Sequence, residues 1–288
     1  MTKPEKTARQ IAGQRVLSAH NKKGQCLALS DLGLVEIPNC MMKLGQLTHL
    51  RFLRLNGNSF TTLPESLKNL KHLEYLELAN NQFTVLPDWI GELTALQVLN
   101  VSQNPLTGFP DSLRSLKGLR FLLSSQCNLS DLPPCLGELK QLKELRLDNN
   151  QFTNLPDALR GMRNLDYLNL ANNQLQELPD WLAELTHLQS LELNDNNLRN
   201  LPEAIGHLPR LRCLLLSNND LQELPESLLQ LKHLIRIDLR DNEALNLSPK
   251  FLASRWHEHG HGTHLPFILL RHYFEQKQKA QIKVSTEI

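Results

Sequence analysis

Leucines recur along most of this chain in a fixed pattern, with polar residues between them. In one representative stretch, Leu165, Leu168 and Leu170 are spaced L-x-x-L-x-L, then Asn173 and Leu175 follow. A Leu-Pro pair and two further leucines close the frame, which opens again 23 residues after it began. Self-similarity at such a period indicates a solenoid of stacked repeats.

The pattern within one repeat predicts a strand, a turn and a short helix. Leu168 and Leu170 alternate with Tyr167 and Asn169, which is the period of a strand with one buried face. Asn173 stands where the chain leaves the strand, and its amide can bond backbone groups that have no sheet partner. The proline of the Leu-Pro pair favours an extended residue before it and a helical turn after it. One repeat cannot bury its leucines alone, so neighbouring repeats must cover them.

The frame is regular after a degenerate first turn at residues 26–50. Nine turns at steps of 23 residues begin at Leu50, Leu73, Leu96, Leu119, Leu142, Leu165, Leu188, Leu211 and Leu234. The turning asparagines are Asn58, Asn81, Asn104, Asn150, Asn173, Asn196, Asn219 and Asn242. The turn from Leu119 is the exception, because Cys127 takes the asparagine place and Ser124 replaces an apolar strand residue.

These patterns predict an α/β fold: a right-handed βα solenoid with a curved parallel sheet on its concave face and short helices outside. We expect an N-terminal capping helix within residues 1–25, a repeat array of about ten turns over 26–247, and a C-terminal cap over 248–288.

The two ends depart from the frame and should cover the open ends of the solenoid. Residues 8–20 predict the first capping helix, with an apolar side formed by Ile11, Val16 and Leu17. At the other end we expect a covering segment with Phe251, Leu252 and Trp256. An amphipathic helix should follow, whose apolar side has Phe267, Ile268, Leu270 and Phe274. From Gln276 the tail is polar, and we expect it to be solvated or disordered.

Composition narrows the possible functions. The formal net charge of +1 gives no general attraction to nucleic acid or to a membrane. No apolar run is long enough to span a membrane, and the beginning, MTKPEKTARQ, lacks the apolar run of a signal peptide. We therefore expect a cytoplasmic protein, with secretion as an effector by another route left open.

The cysteines are odd in number and scattered, namely Cys26, Cys40, Cys127, Cys135 and Cys213. They have neither metal-ligand spacing nor a secreted disulfide pattern, which favours a reducing compartment. Cys26, Cys127 and Cys135 stand at places in the frame where small buried residues are expected. Cys127 and Cys213 could act as nucleophiles, but packing is the better interpretation. Cys127 fills the asparagine place, and Cys213 lies on the sheet without a partnered histidine in its own turn.

Residues 26–247 resemble the leucine-rich repeat superfamily. The frame L-x-x-L-x-L-x-x-N-x-L-x-x-L-P-x-x-L-x-x-L is similar to that of its intracellular class, which includes Ras-suppressor-like, scribble-like, plant and many bacterial proteins. The resemblance implies a non-catalytic recognition module. The chain lacks the G-x-x-x-x-G-K-[ST] loop of Roco-type GTPases, and the 41 residues after the array are too few for a ubiquitin-ligase domain.

A histidine cluster near the C-terminal end provides the alternative chemistry. His257, Glu258 and His261 satisfy the zinc-protease motif H-E-x-x-H, in which two histidines hold the metal and the glutamate acts as base. Gly260 weakens the required helix, and His264 stands where an extended protease motif needs glycine. Metal binding by some of His257, His259, His261 and His264 without proteolysis ranks higher than hydrolysis, and a polar turn ranks above both. We therefore predict no metal or cofactor.

The outward residues of the strands are the predicted binding surface. One column contains Phe52, Tyr75, Val98 and Phe121, and beside it lie Arg54, Glu77, Asn100 and Leu123. The later turns add Glu144, Arg146, Asp148, Tyr167, Asn169, Glu192, Asp195, Arg236, Asp238 and Arg240 as a polar rim. Aromatic residues on strands can pack only with their cross-strand neighbours. Four apolar residues in register on an exposed face instead favour a binding surface.

We therefore predict a protein-protein interaction module with an unknown protein partner. The predicted partner-binding residues are Phe52, Arg54, Tyr75, Glu77, Val98, Asn100, Phe121, Leu123, Glu144, Arg146, Tyr167, Asn169 and Glu192. We expect a monomer that is not an enzyme and binds neither nucleic acid nor membrane. A bacterial effector that acts on a host protein is the alternative role.

Overall fold

The computed structural model describes residues 7–37, 46–247 and 265–286. The chain divides into two compact units, and each is described by itself. Unit 1 comprises Met1–Gln151 and Pro156–Met162, and unit 2 comprises Phe152–Leu155 and Arg163–Ile288.

The described residues of unit 1 contain one α-helix and six short parallel strands that pair in chain order. Helix α1 spans Ala8–Lys22. The strands are β1 Cys26–Ala28, β2 Phe52–Arg54, β3 Tyr75–Glu77, β4 Val98–Asn100, β5 Phe121–Leu123 and β6 Glu144–Arg146. Between strands lie 3-10 helices at Glu65–Asn69, Asp88–Glu92, Asp111–Ser115, Pro134–Glu138 and Asp157–Gly161.

Unit 2 repeats this design, with four parallel strands among the residues that the structure describes. They are β7 Tyr167–Asn169, β8 Ser190–Glu192, β9 Cys213–Leu215 and β10 Arg236–Asp238, paired in that order. The 3-10 helices are Asp180–Glu184, Glu203–His207, Glu226–Gln230 and Glu243–Leu245, and helix α2 spans Leu265–Thr286. The predicted α/β repeat fold with parallel strands and terminal helices is confirmed.

The short helices of the repeats are 3-10 helices. Pro179 is extended, with φ −78° and ψ 152°, and the helix begins at the next residue. Leu182 and Leu185 are three positions apart, and the amide of Leu185 donates to the carbonyl of Leu182 at 3.1 Å. Because a 3-10 helix brings residues i and i+3 onto one face, this leucine spacing suits it.

Buried asparagines terminate the strands, as predicted. The Nδ2 atom of Asn58 donates to the carbonyls of Leu29 and Leu55 at 2.9 Å, and its Oδ1 accepts from the amide of Leu34 at 2.9 Å. The same pattern recurs in unit 1 at Asn81, Asn104 and Asn150, and in unit 2 at Asn196, Asn219 and Asn242. We call this set the asparagine ladder. It satisfies backbone groups that the three-residue strands leave unpaired inside the protein.

The residue before each strand-ending position, including those of Cys127 and Asn173, has a positive φ. The column is Gly57, Asn80, Gln103, Gln126, Asn149, Asn172, Asp195, Asn218 and Asp241, with φ from 53° to 65°. Asparagine and aspartate tolerate this left-handed conformation because their short polar side chains bond locally. Glutamine does so less readily, so Gln103 and Gln126 are held there by the surrounding repeat.

Cys127 interrupts the ladder in unit 1. It is buried, and its Sγ donates to the carbonyls of Val101 at 3.5 Å and Ser125 at 3.7 Å. The amide of Leu106 faces the sulfur, whereas the equivalent amide of Phe83 bonds the Oδ1 of Asn104. Sulfur is a weak acceptor, so this rung is weaker than its neighbours.

Ser124, the other exception in this repeat, is also buried. Its Oγ donates to the carbonyl of Arg146 at 3.0 Å, so the hydroxyl is satisfied in a position that is apolar elsewhere.

Cys26 and Cys135 were expected to be buried, but Cys26 is exposed and Cys135 is half-buried. Cys26 is an outward residue of β1, and Cys135 lies in a 3-10 helix at the surface.

Helix α1 has a well-defined beginning and a different buried side from the one predicted. The hydroxyl of Thr7 accepts from the amide of Gln10, and the Gln10 side chain accepts from the amide of Thr7, which forms a capping box. The buried residues are Ala12, Val16 and Ala19. Leu17 is 49% exposed, so its expected place on the apolar side was wrong. The helix contacts β1 chiefly through small side chains.

Helix α2 continues beyond the predicted apolar segment to Thr286. Leu269, Leu270 and Phe274 are buried, whereas Phe267 and Ile268 are each 50% exposed, which corrects the predicted apolar side. The Lys277 ammonium bonds Glu223 at 2.7 Å, so at least this part of the tail is ordered against the last repeats. The predicted covering segment with Phe251, Leu252 and Trp256 lies outside the described residues.

Among the helices in the described residues, none combines the length and hydropathy required to cross a membrane.

The 3-10 helices of unit 1 pack closely enough to require glycine. A Cβ at Gly91 would lie 2.3 Å from the carbonyl oxygen of Ser112, whereas a Cβ at Gly108 would meet nothing within 4 Å. We predict that Gly91→Ala lowers the free energy of unfolding by about 1–3 kcal/mol, because backbone must move to admit the methyl group. Gly108→Ala is the control, and urea denaturation measures both. Equal stability of the two variants would contradict the close contact.

Completing the asparagine ladder should stabilise the protein. We predict that Cys127→Asn raises the free energy of unfolding by about 1 kcal/mol, because an amide oxygen would replace sulfur as the acceptor for the Leu106 amide. The reverse change in the preceding repeat, Asn104→Cys, should lower it. Urea denaturation of the two variants beside the wild type tests both signs, and a destabilised Cys127→Asn protein would contradict the proposed rung.

Candidate functional site

The predicted binding residues occupy the outward positions of strands β2 to β8. In each three-residue strand the central leucine is buried and the two flanking residues are half-buried or exposed. The first positions contain Phe52, Tyr75, Val98, Phe121, Glu144 and Tyr167, and the third contain Arg54, Glu77, Asn100, Leu123, Arg146, Asn169 and Glu192. Their placement follows the predicted alternation, while their role in binding stays a prediction.

Four of these residues form a continuous column in unit 1. Strand register pairs Phe52 with Tyr75, Tyr75 with Val98, and Val98 with Phe121. We call these four residues the apolar stripe, and Leu123 lies beside it on β5. All four are half-buried, so part of each side chain faces solvent.

Two aromatic rings of the apolar stripe stack on each other. The ring centroids of Phe52 and Tyr75 are 4.5 Å apart, with 18° between the ring planes. This contact supports the alternative that the rings pack with cross-strand neighbours. It covers one face of each ring and leaves both residues partly exposed.

Charged residues just before the strands frame the apolar stripe. The guanidinium carbon of Arg51 lies 5.9 Å from the Phe52 ring centroid, and Arg120 lies at the same distance from Phe121. Arg51 also makes two hydrogen bonds to Glu74, at 2.8 and 2.6 Å. These bonds lower the pKa of Glu74, so its carboxyl stays ionised. The sequence interpretation missed this column, although one step back from each strand in the repeat frame would have found it.

The opposite side of the apolar stripe is polar and internally bonded. Arg54 and Glu77 form an ion pair at 3.5 Å. The amide of Asn56 donates to Glu77 at 2.8 Å, and its Oδ1 accepts from the Ala79 amide at 2.8 Å. The side chain of Asn100 accepts from the Ser102 amide. These bonds fix the side chains around the apolar residues.

The column becomes charged at the end of unit 1. Glu144 is in register with Phe121, and Arg146 is in register with Leu123. Arg146 bonds Glu144 at 2.6 Å, and the Ser125 hydroxyl donates to Asp148 at 2.6 Å. A polar, hydrogen-bonded border beside an apolar centre is the usual arrangement of a protein interface.

Unit 2 has a different outward face. Its first positions are Tyr167, Ser190, Cys213 and Arg236, so the aromatic column of unit 1 is not repeated. Leu215 and Cys213 are half-buried apolar residues on β9 that the polar prediction did not include.

Asp238 corrects the predicted polar rim, because the structure places it in the interior with 4% exposure. Burial opposes its ionisation, but hydrogen bonds from Arg240 outweigh burial and lower the pKa of Asp238. The carboxylate is therefore occupied inside the protein and unavailable to a partner.

Among the described residues, the cysteines and histidines form no catalytic arrangement. Burial raises the pKa of the Cys127 thiol and of the Cys213 thiol, which disfavours the nucleophilic thiolate. In residues 7–37, 46–247 and 265–286, no three His, Cys, Asp or Glu side chains are grouped to hold a metal ion. The candidate zinc ligands His257, His261 and His264, with Glu258, lie outside the described residues.

Family models match most of the array. A model described as a leucine-rich repeat region matches residues 25–147. A second, described as a leucine rich repeat, matches residues 125–175, 140–198 and 179–221. Together they cover more than half of the 288 residues. No curated protein sequence matches this chain.

Solved structures include three informative relatives. A leucine-rich repeat protein of Leptospira interrogans is 31% identical to this chain, with a TM-score of 0.72. The match covers 84% of this chain and 65% of the Leptospira chain. A second structure is the leucine-rich repeat ectodomain of a receptor kinase of Arabidopsis thaliana, in complex with Casparian strip integrity factor 2. It is 32% identical with a TM-score of 0.64, and the match covers 74% of this chain and 26% of the Arabidopsis chain. YopM, a leucine-rich effector protein from Yersinia pestis, is 26% identical with a TM-score of 0.66. The match covers 83% of this chain and 67% of the YopM chain. The chain thus spans less than two thirds of the Leptospira and Arabidopsis chains.

The contrast between Cys26 and Cys127 can be measured. We predict that iodoacetamide at mildly alkaline pH alkylates Cys26 at least about ten times faster than Cys127, since Cys26 is exposed and burial both shields Cys127 and raises its pKa. Peptide mass spectrometry over time gives the two rates, and the protein unfolded in urea serves as the control in which the rates converge. Equally fast labelling in the folded protein would revive Cys127 as a reactive thiol.

Proposed function

Because this chain belongs to the leucine-rich repeat family, we propose that it is a non-catalytic recognition module that binds a protein partner on the outward face of its strands. The apolar stripe in unit 1 is the centre of the proposed interface. Its surroundings, from Arg51 and Glu74 on one side to Arg54 and Glu77 on the other, form the polar border.

The observation that carries this proposal is the strand register of the four apolar residues. Phe52, Tyr75, Val98 and Phe121 follow one another on adjacent strands, and each is only half-buried. Aromatic residues at the centre of an interface commonly supply most of its binding free energy. The stacked pair Phe52 and Tyr75 is also held rigid before binding, which reduces the entropy lost on association.

The border favours specificity. Arg51 with Glu74, Arg54 with Glu77, and Arg146 with Glu144 are already paired, so a partner meets fixed charges of both signs. Mixed charges around an apolar centre select partners by complementary charge and reject those with like charges opposite. The described outward residues mix acidic and basic side chains instead of forming a basic track with interleaved aromatics, so a protein suits this face better than nucleic acid.

The related structures support the same kind of role. The Arabidopsis ectodomain is in complex with Casparian strip integrity factor 2, and YopM is described as an effector. Action as an effector on a host protein is therefore the second candidate role, and its interface would be the same apolar stripe. Function in a reducing, cytoplasmic compartment is part of the proposal, supported by free thiols at Cys26, Cys127, Cys135 and Cys213.

The apolar stripe can be tested by substitution. We predict that Tyr75→Ala combined with Phe121→Ala weakens partner binding by at least about tenfold, because truncating an interface anchor costs about 2 kcal/mol or more. The wild type first identifies the partner by pull-down and mass spectrometry, and calorimetric titration then gives both affinities. Circular dichroism should show an intact fold, since both side chains are only half-buried.

A matched control removes apolar surface away from the strands. Val35 and Val85 are 67% and 62% exposed, and Val35→Ala with Val85→Ala should leave the affinity unchanged. If the Tyr75 and Phe121 variant binds as tightly as the control, the apolar stripe is not the interface.

A further inference from the structure

A cluster of cationic side chains lines a concavity in unit 2, where the chain enters strands β9 and β10. Its basic side chains are those of Arg210, Arg212 and Lys232, which carry positive charge, and that of His233. Gln189, Leu234 and Ile235 complete the lining, and the volume is about 450 Å³. We call this feature the basic concavity.

The repeat frame explains why positive charge accumulates there. In unit 1, Arg51 is followed one repeat later by Glu74, and the two make a pair of hydrogen bonds. Arg212 occupies the equivalent place in its repeat, but its neighbours one repeat away are Gln189 and Ile235. The carboxylate that neutralises Arg51 is therefore replaced by an amide and an alkyl group at Arg212.

The other cations also lack acidic neighbours in the frame. The residues one repeat before and after Arg210 are His187 and His233, and the residue one repeat before Lys232 is Pro209. Lys117, which occupies the place equivalent to Lys232 in an earlier repeat, does have an acidic partner and bonds Glu138 at 2.7 Å. Over the part of the chain that the structure describes, Arg210, Arg212, Lys232 and His233 make no side-chain ion pair.

The unpaired charges raise the free energy of the empty concavity. Like charges within one concavity repel, and a carboxylate placed among them would relieve that repulsion. The planar guanidinium groups of Arg210 and Arg212 suit two-point hydrogen bonding to carboxylates. Ile235 is 38% exposed, so the alkyl part of an acidic side chain would also find an apolar contact.

Arg236 follows Ile235 in the chain, and although its charge interacts with the Asp238 carboxylate, one of its nitrogens has no acceptor. The Nε atom of Arg236, on β10, is buried without a hydrogen-bond partner among the described residues. The net charge of the whole chain is only +1, so attraction of an anion to this place would be local rather than general.

We propose that the basic concavity binds an acidic segment of a protein partner through aspartate or glutamate carboxylates. Several cations spread over two adjacent strand entries suit several carboxylates on one chain better than a single small anion. Its lining has no Phe, Tyr or Trp ring for base stacking, which disfavours single-stranded nucleic acid. The basic concavity shares no residue with the apolar stripe, because its residues belong to unit 2 and those of the stripe to unit 1.

A labelled octaglutamate peptide tests the proposal directly, with fluorescence anisotropy as the readout. The peptide should bind the full chain, bind more weakly at high salt, and lose at least about tenfold in affinity with Arg210→Gln plus Arg212→Gln, since charge-assisted bonds are removed. A second variant, Lys232→Gln plus His233→Gln, should weaken binding in the same direction. Thermal unfolding checks that both variants are folded.

The control variant changes the net charge equally at two residues that do not line the basic concavity. Arg114→Gln plus Arg199→Gln should bind octaglutamate like the wild type. Equal loss in this control, no binding by the wild type, or equal binding of octaglutamine would each overturn the proposal. Tighter binding of a matched phosphoserine peptide would overturn the assignment to carboxylates. Tighter binding of a single-stranded oligonucleotide or of anionic lipid vesicles would overturn the assignment to protein.

Discussion

The fold depends on satisfying the backbone groups at the ends of very short strands. Each strand has three residues, so the chain leaves the sheet while its peptide groups are still in the interior. The asparagine ladder supplies the missing partners, because one amide side chain donates to carbonyls of two repeats and accepts from an amide of the repeat before it. Leucine packing holds the repeats together, but the ladder fixes where each strand ends and therefore which residues point outward.

This division explains how much of the fold could be predicted. Alternation along each strand identifies the buried leucines, and the constant step of 23 residues places Phe52 beside Tyr75 without further information. Short-range effects of specific neighbours were not predictable in this way. The positive φ of Gln103 results from the turn that the ladder imposes, and glutamine has no intrinsic preference for it. The 3-10 geometry of the helices and the interior position of Asp238 likewise depend on packing and on the pairing with Arg240.

The candidate surfaces show the same limit. The apolar stripe follows from periodicity, since its residues share one position in successive repeats. The pairing of Arg51 with Glu74 and the unpaired state of Arg212 depend instead on which residue stands one repeat away. The surface chemistry of a repeat protein thus depends on which residues follow one another in each column. Where isoleucine instead of glutamate stands one repeat after an arginine, the charge of that arginine is no longer neutralised.

The sequence separations of the ladder hydrogen bonds also affect how the chain folds during its synthesis. A ladder asparagine bonds residues 3, 21 and 26 positions before it, so every partner has already been synthesised when it emerges. Such short sequence separations correspond to low contact order and require no distant loop closure. A nascent chain on the ribosome could therefore add one closed coil at a time behind the growing end, keeping newly exposed leucines covered during translation.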